Sequence, residues 1–289
     1  MRLGRPLFLT GGFVNYGLGA AIARLAGHAI DLRRYVLGQA VVTAFQLMTH
    51  YANDYFDLDA DRANATPTRW SGGSRVLPAG ELPRSAALIA ALVLAAIGIA
   101  LTAVIGERVV VLVATGALAW AYSAPPLRLC ARGLGELDTA IVVTGLVPWL
   151  GFALQAADLR GEGILVAAIV PPILLQLAML LAIEFPDAAG DATTGKRTLV
   201  VRLGAPAAAN LYAALTAAAY LWLPIAWRLG VPTVAVALAA LGIPIGVWRI
   251  ARAGDYRDGA KHERLAFFGV AQVIGVAAAL LAGTVFSLT

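Results

Sequence analysis

Long apolar segments alternate with short polar stretches along almost the whole chain. Most apolar segments hold about 20 residues, which is the length that an α-helix needs to cross the hydrocarbon core of a bilayer. The stretches between them are rich in Gly, Pro and charged residues, as in SAPPLRLCARGLGE and RAGDYRDGAKHER. The pattern predicts nine transmembrane helices, at residues 6–28, 34–58, 83–106, 108–126, 136–157, 162–187, 206–228, 231–252 and 265–288.

The composition supports this interpretation. Hydrophobic residues make up 60% of the 289 residues and charged residues only 13%, whereas a soluble domain usually carries about 25% charged residues. The net charge of +5 would also suit a protein that binds nucleic acid, but a basic membrane protein accounts for it equally well, and we expect no nucleic-acid partner. The single cysteine, Cys130, excludes an intramolecular disulfide. We expect one all-α domain over residues 1–289 that is integral to the membrane.

Lys and Arg residues are distributed unequally between the connections that join the predicted helices. If the N-terminus is cytoplasmic, most of the 22 Lys and Arg residues, Arg2 and Arg5 among them, fall on the cytoplasmic side, as the positive-inside rule requires. We therefore expect a cytoplasmic N-terminus in a membrane such as the prokaryotic inner membrane. The N-terminal sequence lacks a small-residue cleavage site, so we interpret it as the first helix. The connections 59–82 and 188–205 then both face the cytoplasm.

The segment NDYFDLDAD, at residues 53–61, places four acidic residues directly after the second apolar segment. Asp54, Asp57 and Asp61 are three and four residues apart, so on a helix they share one face, while Asp59 points elsewhere. Carboxylates this close repel one another, and the negative end of the helix dipole adds to the repulsion. A divalent cation would offset both effects, and Mg²⁺ prefers such oxygen ligands. We expect Asp59 to be dispensable.

A second acidic segment, EFPDAAGDATTGKRT, follows the sixth apolar segment. Asp187 and Asp191 are four residues apart and would again share a helical face. Lys196 and Arg197 come directly after them. This order suits a diphosphate bound through Mg²⁺, because the acids can hold the metal while the cations neutralise the remaining phosphate charge.

Other interpretations fit these residues less well. Acids at the end of a membrane helix are often merely solvated, but two clusters at equivalent helix ends, each followed by cations, favour a functional site. The segment from Gly190 to Lys196 has the glycine spacing of a phosphate-binding P-loop, but Arg197 stands where that motif requires Ser or Thr. Acid pairs also couple ions in transporters, yet those acids lie near the bilayer midplane, and these lie at one membrane face.

The motifs NDxxDxxxD, beginning at Asn53, and DxxxD, beginning at Asp187, resemble those of the UbiA superfamily of intramembrane prenyltransferases. The segments GGSRVLPAGEL, RGLGE and GKRTLVVRLG are similar to those of the 1,4-dihydroxy-2-naphthoate polyprenyltransferases, the menaquinone-type branch of that superfamily. The resemblance implies a ring of about nine transmembrane helices around a central cavity. It also implies a cytoplasmic cap from the loops after helices two and six, and a prenyl diphosphate bound through Mg²⁺.

The resemblance and the chemistry of the motifs together suggest roles for individual residues. Two Mg²⁺ ions bridged to the substrate diphosphate are expected to be held by Asn53, Asp54, Asp57, Asp61, Asp187 and Asp191. The expected diphosphate-binding residues are Arg62, Arg75, Lys196 and Arg197. The expected catalytic residues are Asp54, Asp57, Asp187, Asp191 and Lys196. The prenyl or acceptor cavity is expected to include His50, Tyr55, Phe56, Tyr122, Trp149 and Glu184.

These roles imply a membrane enzyme that transfers a prenyl group from a prenyl diphosphate to a hydrophobic aromatic acceptor, such as a quinone precursor, and releases diphosphate. The prenyl tail would lie in an apolar cavity open to membrane lipid. The alternative is a terpene cyclase of the same superfamily, which would share the ionisation step but capture the cation without an acceptor. Asn15, Gln46 and Gln176 are polar residues within predicted helices, and we expect them to form helix–helix hydrogen bonds.

Overall fold

A computed structural model of the chain describes residues 4–106 and 108–289. Arg2, which the positive-inside argument includes, lies outside these residues. Every regular element within the described ranges is helical, which confirms the all-α prediction. The α-helices are α1 (Pro6–Leu25), α2 (Leu32–Phe56), α3 (Leu58–Ala63), α4 (Arg84–Ile105), α5 (Val109–Ala121), α6 (Gly135–Ile141), α7 (Val147–Ala153), α8 (Glu162–Glu184), α9 (Ala188–Thr193), α10 (Leu199–Leu203), α11 (Ala205–Leu221), α12 (Leu223–Arg228), α13 (Thr233–Ala240), α14 (Ile243–Ala251) and α15 (Gly259–Phe286). A π-helical turn, Val142–Leu146, joins α6 to α7.

Seven described helical segments are long and apolar enough to cross a membrane: Pro6–Leu25, Arg84–Ile105, Gly135–Ala153, Glu162–Glu184, Ala205–Arg228, Thr233–Ala251 and Gly259–Phe286. They make the chain a multi-pass membrane protein, as predicted. Helix α2 is also long, with 25 residues, but it carries more polar side chains, and α5 is apolar but has only 13 residues. These two helices coincide with the remaining predicted spans, and the count of nine stays a prediction.

Proline residues accompany breaks in several helices that the pattern predicts to be continuous. The predicted helix at 206–228 is divided into α11 and α12 beside Pro224, and that at 231–252 into α13 and α14 beside Pro244. A proline has no N–H to donate, and its ring crowds the carbonyl group four residues earlier, so the hydrogen-bond ladder stops there. Pro148 likewise follows the π-helical turn. Each apolar segment therefore contains more local structure than its hydropathy reveals.

Glycine residues allow α1 to lie directly against α7. A Cβ atom on Gly19 would lie 1.8 Å from the carbonyl oxygen of Pro148, and one on Gly151 would lie 2.1 Å from the carbonyl oxygen of Tyr16. Backbones approach this closely only where neither helix carries a side chain at the crossing, and such small-residue crossings are common in membranes. Helix α1 and the segment from α6 to α7 consequently form adjoining walls of the protein interior.

The connections after α2 and after α8 meet each other at one end of the helix bundle. Helix α2 ends at Phe56 and is followed at once by α3, while α8 ends at Glu184 and α9 begins at Ala188. The short helices α3 and α9 pack together, and a Cβ atom on Gly190 would lie 3.2 Å from the Cα atom of Asn64. The fold thereby brings together the two acidic motifs, which are far apart in the sequence.

Candidate active site

The acids of the first motif differ in exposure as their helical spacing predicts. Asp54, Asp57 and Asp61 are 1%, 2% and 8% exposed, whereas Asp59 lies on the surface. The three buried acids lie across two helices and not on one, because α2 ends before Asp57. The helical period nevertheless continues, since the N–H of Asp57 donates to the carbonyl of Asn53 at 2.9 Å and the N–H of Asp61 donates to the carbonyl of Asp57 at 2.9 Å.

Arg5, at the start of α1, forms a salt bridge with Asp54. Its Nη2 lies 2.5 Å from Asp54 Oδ1 and donates a second hydrogen bond to Asn53 Oδ1 at 2.9 Å. The hydroxyl group and the backbone N–H of Ser74 also donate to the Asp54 carboxylate. Arg5 and Ser74 are absent from the set of site residues that the motifs predict, because contacts between segments distant in the chain leave no local pattern in the sequence.

Lys196 connects the two acidic motifs. Its Nζ lies 3.1 Å from Asp57 Oδ2 in the first motif and 3.5 Å from Asp191 Oδ1 in the second. The Lys196 side chain is only 17% exposed. The thiol of Cys130 also lies 3.8 Å from the Asp57 carboxylate. A cation that two fixed acids hold in place can receive an anionic group with little reorganisation of the site.

Asp187 is bound by groups of the connection that follows α3. Asn64 Nδ2 donates to Asp187 Oδ1 at 2.6 Å, and the backbone N–H of Gly72 donates to Asp187 Oδ2 at 3.0 Å. Gly72 has a φ of 72°, in the left-handed region that glycine adopts at no steric cost. The guanidinium group of Arg75 donates to the carbonyl of Asp61. The segment GGSR therefore contacts both motifs.

Burial raises the pKa of several carboxyl groups in this cluster. The pKa of Asp61 rises to about 7 and that of Asp191 to about 6, chiefly because both groups are removed from water. Burial also raises the pKa of Asp187. For Lys196, burial opposes the charge, but Asp57 and Asp191 outweigh it and raise the Lys196 pKa well above its ordinary value. Additional positive charge would therefore favour the ionised form of the acids.

Two buried carboxylate oxygens in the cluster have no hydrogen-bond partner, Oδ2 of Asp61 and Oδ2 of Asp191. Such oxygens are costly to bury unless a donor or a cation reaches them, and Mg²⁺ prefers oxygen ligands. Within residues 4–106 and 108–289, no three Asp, Glu, His or Cys side chains converge as a complete metal centre. The residues therefore fit Mg²⁺ ions that take some of their ligands from water and from a bound phosphate.

A cavity of about 180 Å³ begins beside Arg5 and Asn53 and extends among α1, α2, α5, α6, α8 and α15. Most of its lining side chains are apolar. His50 and Tyr122, which the sequence places in the cavity, both line it. His50 is also hydrogen-bonded through Nδ1 to the carbonyl of Gly4 at 2.9 Å. A cavity with a charged cluster at one end and apolar walls elsewhere suits a molecule with an anionic head and a hydrophobic tail.

The structure places Tyr55 and Phe56 outside this lining. Tyr55 lies on the opposite face of α2 from Gln46, a lining residue, because the two are nine residues apart. Arg84 covers the Tyr55 ring, with its guanidinium carbon 4.5 Å from the ring centroid. Phe56 lies at the end of α2 and packs edge-on against Trp120, with ring centroids 5.9 Å apart. Both aromatic side chains therefore pack between helices.

Trp149 also lies outside the lining, for a reason that involves the π-helical turn. On an uninterrupted α-helix, position 149 would share a face with Asp138, which lines the cavity. The wider turn at Val142–Leu146 contains an extra residue and brings Val147 to the cavity instead. The indole N–H of Trp149 donates to Glu162 Oε1 at 3.3 Å.

Some of the predicted diphosphate-binding cations contact the acid cluster, whereas the others and Glu184 lie outside it. Lys196 and Arg75 contact residues of the first motif, whereas Arg62 and Arg197 are exposed. Glu184 ends α8 and does not line the cavity, although its Oε2 atom is buried without a hydrogen-bond partner. The structure thus brings two of the four expected diphosphate-binding residues to the acids.

Polar residues within the helices line the cavity as well, namely Asn15, Gln46, Asp138 and Gln176. Gln46 Nε2 donates to the carbonyl of Phe8 at 3.0 Å and so joins α2 to α1, as expected of a helix–helix contact. Asn15 Nδ2 instead donates to the carbonyl of Gly11 in its own helix at 2.8 Å. The acidic motifs give no indication of Asp138, because it is a single acid without a spaced partner.

Comparison with known proteins extends these observations. The model of the UbiA prenyltransferase family matches residues 16–284. The chain is 31% identical, over 266 residues, to the 1,4-dihydroxy-2-naphthoate octaprenyltransferase of Mycobacterium leprae. The aligned region covers 89% of this chain and 88% of the relative. The chain is 26% identical, over 257 residues, to the digeranylgeranylglyceryl phosphate synthase of Thermococcus gammatolerans. That alignment covers 85% of this chain and 87% of the relative.

Solved structures show the same fold. A UbiA homolog from Aeropyrum pernix K1 superimposes with a TM-score of 0.72 at 21% identity, over 96% of this chain and 98% of that chain. A UbiA homolog from Archaeoglobus fulgidus bound to DMAPP and Mg²⁺ superimposes with a TM-score of 0.64 at 17% identity, over 96% and 98%. The architecture is therefore shared along nearly the whole chain.

Proposed function

The chain belongs to the UbiA prenyltransferase family, and from that membership we propose a specific reaction for its site. The protein is a prenyltransferase, like the relatives it matches. We infer that it transfers a prenyl group from a prenyl diphosphate to a hydrophobic aromatic acceptor in the membrane, with the help of Mg²⁺, and releases diphosphate.

One arrangement in the structure carries this proposal. Lys196 lies between Asp57 and Asp191, next to buried carboxylate oxygens without partners, and the cluster adjoins a mainly apolar cavity. The metal-ligand oxygens and the fixed cation would bind the diphosphate end of a prenyl diphosphate. The apolar cavity beside them would hold its prenyl end. A solvated helix end would not require the burial that Asp54, Asp57 and Asp61 show.

Mg²⁺ would neutralise the diphosphate and so stabilise it as a leaving group. The residues that would hold the ions are Asn53, Asp54, Asp57, Asp61, Asp187 and Asp191. The structural neighbour from Archaeoglobus fulgidus, which binds DMAPP and Mg²⁺, supports this choice of ion. That two ions bind with the substrate diphosphate remains our proposal for the stoichiometry.

The cations of the site would act on the diphosphate in different ways. We propose that Lys196 and Arg75 donate hydrogen bonds to it and stabilise its charge as the C–O bond breaks. Arg5 adds a cation that the motifs do not predict, since its guanidinium lies against Asp54 at the cavity. Arg62 and Arg197 lie on the surface of the same connections, where they would attract an anionic substrate from solution.

The cavity would hold the prenyl tail and exclude water from the allylic cation. Most of its lining side chains are apolar, which limits the access of water to the cation until the acceptor reacts with it. Tyr122 and His50 line the cavity, and the electron-rich face of an aromatic ring such as that of Tyr122 stabilises a nearby cation. We also propose that the acid cluster faces the cytoplasm, as the distribution of Lys and Arg predicts.

The names of the relatives support a choice of acceptor. The Mycobacterium leprae relative is named for 1,4-dihydroxy-2-naphthoate, and its higher identity favours an aromatic acceptor for this chain. The Thermococcus gammatolerans relative is named for a glyceryl phosphate product, so transfer to an alcohol on a glyceryl phosphate is the second candidate. A terpene cyclase, which needs no acceptor, shares the acid cluster and is the third outcome to test.

The test uses the purified protein in lipid nanodiscs with Mg²⁺ and radiolabelled prenyl diphosphates of several chain lengths. Hydroxynaphthoates and glyceryl phosphates serve as acceptors, and one reaction contains no acceptor. We expect a prenylated aromatic product and an equal amount of released diphosphate. A hydrocarbon formed without any acceptor would replace our proposal with a cyclase. The absence of both lipid product and diphosphate release would contradict an enzymatic role for the site.

A further inference from the structure

The cavity contains a buried acid that belongs to neither acidic motif. Asp138 of α6 lines the cavity and is 8% exposed. Within the described residues, no hydrogen bond or salt bridge reaches its carboxyl group. A carboxyl group within a membrane-spanning segment is costly without a partner, and such residues mark functional sites.

The charges around the cavity leave Asp138 without a counterion. Among the described lining residues, Arg5 is the one permanent cation, and its guanidinium is already bound to Asp54 and Asn53. His50 is held by a hydrogen bond to the carbonyl of Gly4. A group that enters the cavity with a hydrogen-bond donor would therefore meet an Asp138 carboxyl group that is free to accept.

Among the described residues, Gln176 of α8 is a second buried polar side chain that lines the cavity without a hydrogen-bond partner. It is 6% exposed and lines the cavity, and within the described chain no hydrogen bond of its amide group is present. Helices α6 and α8 pack against each other, so Asp138 and Gln176 belong to neighbouring walls. Two buried polar side chains without partners in a mainly apolar cavity provide a hydrogen-bond acceptor and a donor for an oxygen-bearing ring.

A π-helical turn follows α6 and keeps later residues of the same segment on the cavity side that Asp138 occupies. The N–H of Val147 donates to the carbonyl group of Val142, five residues earlier, and this bond makes the turn wider than an α-helical turn. Five residues of this segment line the cavity, at positions 138, 139, 142, 143 and 147. Val147 follows Val142 by five residues, the spacing that a π-helical turn brings to one face, and such turns often occur at functional sites.

We propose that Asp138 is a catalytic residue that takes the hydroxyl proton of the acceptor, with Gln176 holding a second oxygen of the same ring. This inference rests on the proposed prenyl transfer, because it assigns the acceptor end of that site. The acceptor would be a fused or single aromatic ring that carries a free hydroxyl group. The acid cluster would hold the diphosphate, and Asp138 would act on the other substrate.

Asp138, as the carboxylate, accepts the hydroxyl proton, and the oxygen electron pair moves into the ring. The ring carbon forms a bond to C1 of the prenyl group while the C1–O bond breaks and its electron pair leaves with the diphosphate. The substituted carbon then gives its original proton to the released diphosphate, or loses its carboxylate as carbon dioxide. The electrons of that bond restore the aromatic ring, and the proton held by Asp138 returns to the oxygen.

The test compares wild type with Asp138→Asn, which keeps the shape of the side chain but cannot accept a proton in this way. The acceptors are 1,4-dihydroxy-2-naphthoate and a ring-fluorinated analogue whose hydroxyl groups are more acidic. We expect Asp138→Asn to lower kcat on the order of 100-fold with the first acceptor, as loss of a general base does. With the fluorinated acceptor, which ionises without a base, the loss should shrink to about tenfold or less. Asp138→Glu should recover part of the activity.

Two controls separate this proposal from a structural role and from the proposed function. Binding of the prenyl diphosphate with Mg²⁺ should stay within about twofold of wild type in Asp138→Asn, because the acid cluster is unchanged. Asp59→Asn, at an exposed acid, should behave as wild type. Equal losses with both acceptors, wild-type rates, or loss of diphosphate binding in Asp138→Asn would each overturn the role of Asp138. If wild type itself forms no prenylated acceptor, the proposed function fails instead.

Discussion

The ammonium group of Lys196 neutralises one carboxylate from each acidic motif, and no other described side chain does so. Its distances of 3.1 Å to Asp57 and 3.5 Å to Asp191 are those of a buried ion pair, in which removal of one partner leaves the others uncompensated. The residue therefore has two roles in our account. It keeps the motifs together before substrate binds, and it stabilises the diphosphate as the prenyl group departs.

The variant Lys196→Met tests both roles. We expect kcat to fall by roughly 100- to 1,000-fold, the usual effect of removing one group that stabilises developing charge, and affinity for the prenyl diphosphate to fall as well. Product formation and diphosphate binding are measured in nanodiscs. Lys261→Met is the matched control, because Lys261 also lies between two aspartates, Asp255 and Asp258, but near the surface. Comparable losses in the two variants would contradict a specific role for Lys196.

At the scale of residues, the sequence predicts which acids are buried together where the determining pattern is local. Asp54, Asp57 and Asp61 are buried together because a helical period of about 3.6 residues brings them to one face. Arg5 and Asn64 could not be predicted, because their contacts join residues 49 and 123 positions apart. Long-range hydrogen bonds depend on how the helices pack, and a single sequence carries no direct record of that packing.

At the scale of elements, the contact between α1 and α7 sets the shape of the cavity wall. Gly19 and Gly151 bring the two backbones together, and α7 continues from the π-helical turn whose residues also line the cavity. A side chain inserted at this crossing would move both walls at once, because close-packed interiors transmit strain.

The variant Gly19→Leu should therefore destabilise the protein. Its Cβ alone would lie 1.8 Å from the carbonyl oxygen of Pro148, so the helices must separate, at a cost of about 1–3 kcal/mol or more. Thermal unfolding in detergent, followed by loss of the monodisperse peak in size-exclusion chromatography, measures the effect. Gly275→Leu is the control, since nothing lies within 4 Å of a Cβ at that glycine. An unchanged unfolding temperature for Gly19→Leu would contradict the observed packing.

The positions of the apolar segments predict where most of these elements lie, but not their internal breaks. Hydropathy responds to the average character of about 20 residues, so it cannot register the division beside Pro224 or the π-helical turn before Pro148. The misplacement of Trp149 in the predicted cavity is a direct result, because one extra residue in a turn rotates every later side chain.

For the molecule as a whole, the seven apolar segments establish a multi-pass membrane protein, and its orientation stays a prediction. That orientation decides whether the acid cluster meets the prenyl diphosphate in the cytoplasm. Helix α8 crosses from Glu162 to Glu184, so the connections at its two ends lie on opposite sides of the membrane.

Single cysteines at the two ends of α8 test the orientation. Leu159 and Ala192 are both exposed, whereas the native Cys130 is buried and should not react. In intact cells, a membrane-impermeant maleimide should label Leu159→Cys but should label Ala192→Cys only after permeabilisation, because the positive-inside rule places the second connection in the cytoplasm. The reverse pattern of labelling would invert the proposed topology and expose the acid cluster to the outside.

The central claim is that the two acidic motifs form one Mg²⁺-dependent site for a prenyl diphosphate. The most direct measurement is the release of diphosphate coupled to prenylation of a hydroxyaromatic acceptor, with and without Mg²⁺, for wild type, Asp54→Asn, Asp187→Asn and the control Asp59→Asn. We predict metal-dependent turnover in wild type and Asp59→Asn, and a loss of roughly 1,000-fold or more in each of the other two variants. Turnover without a divalent cation, or near-normal activity in either Asp54→Asn or Asp187→Asn, would contradict the claim.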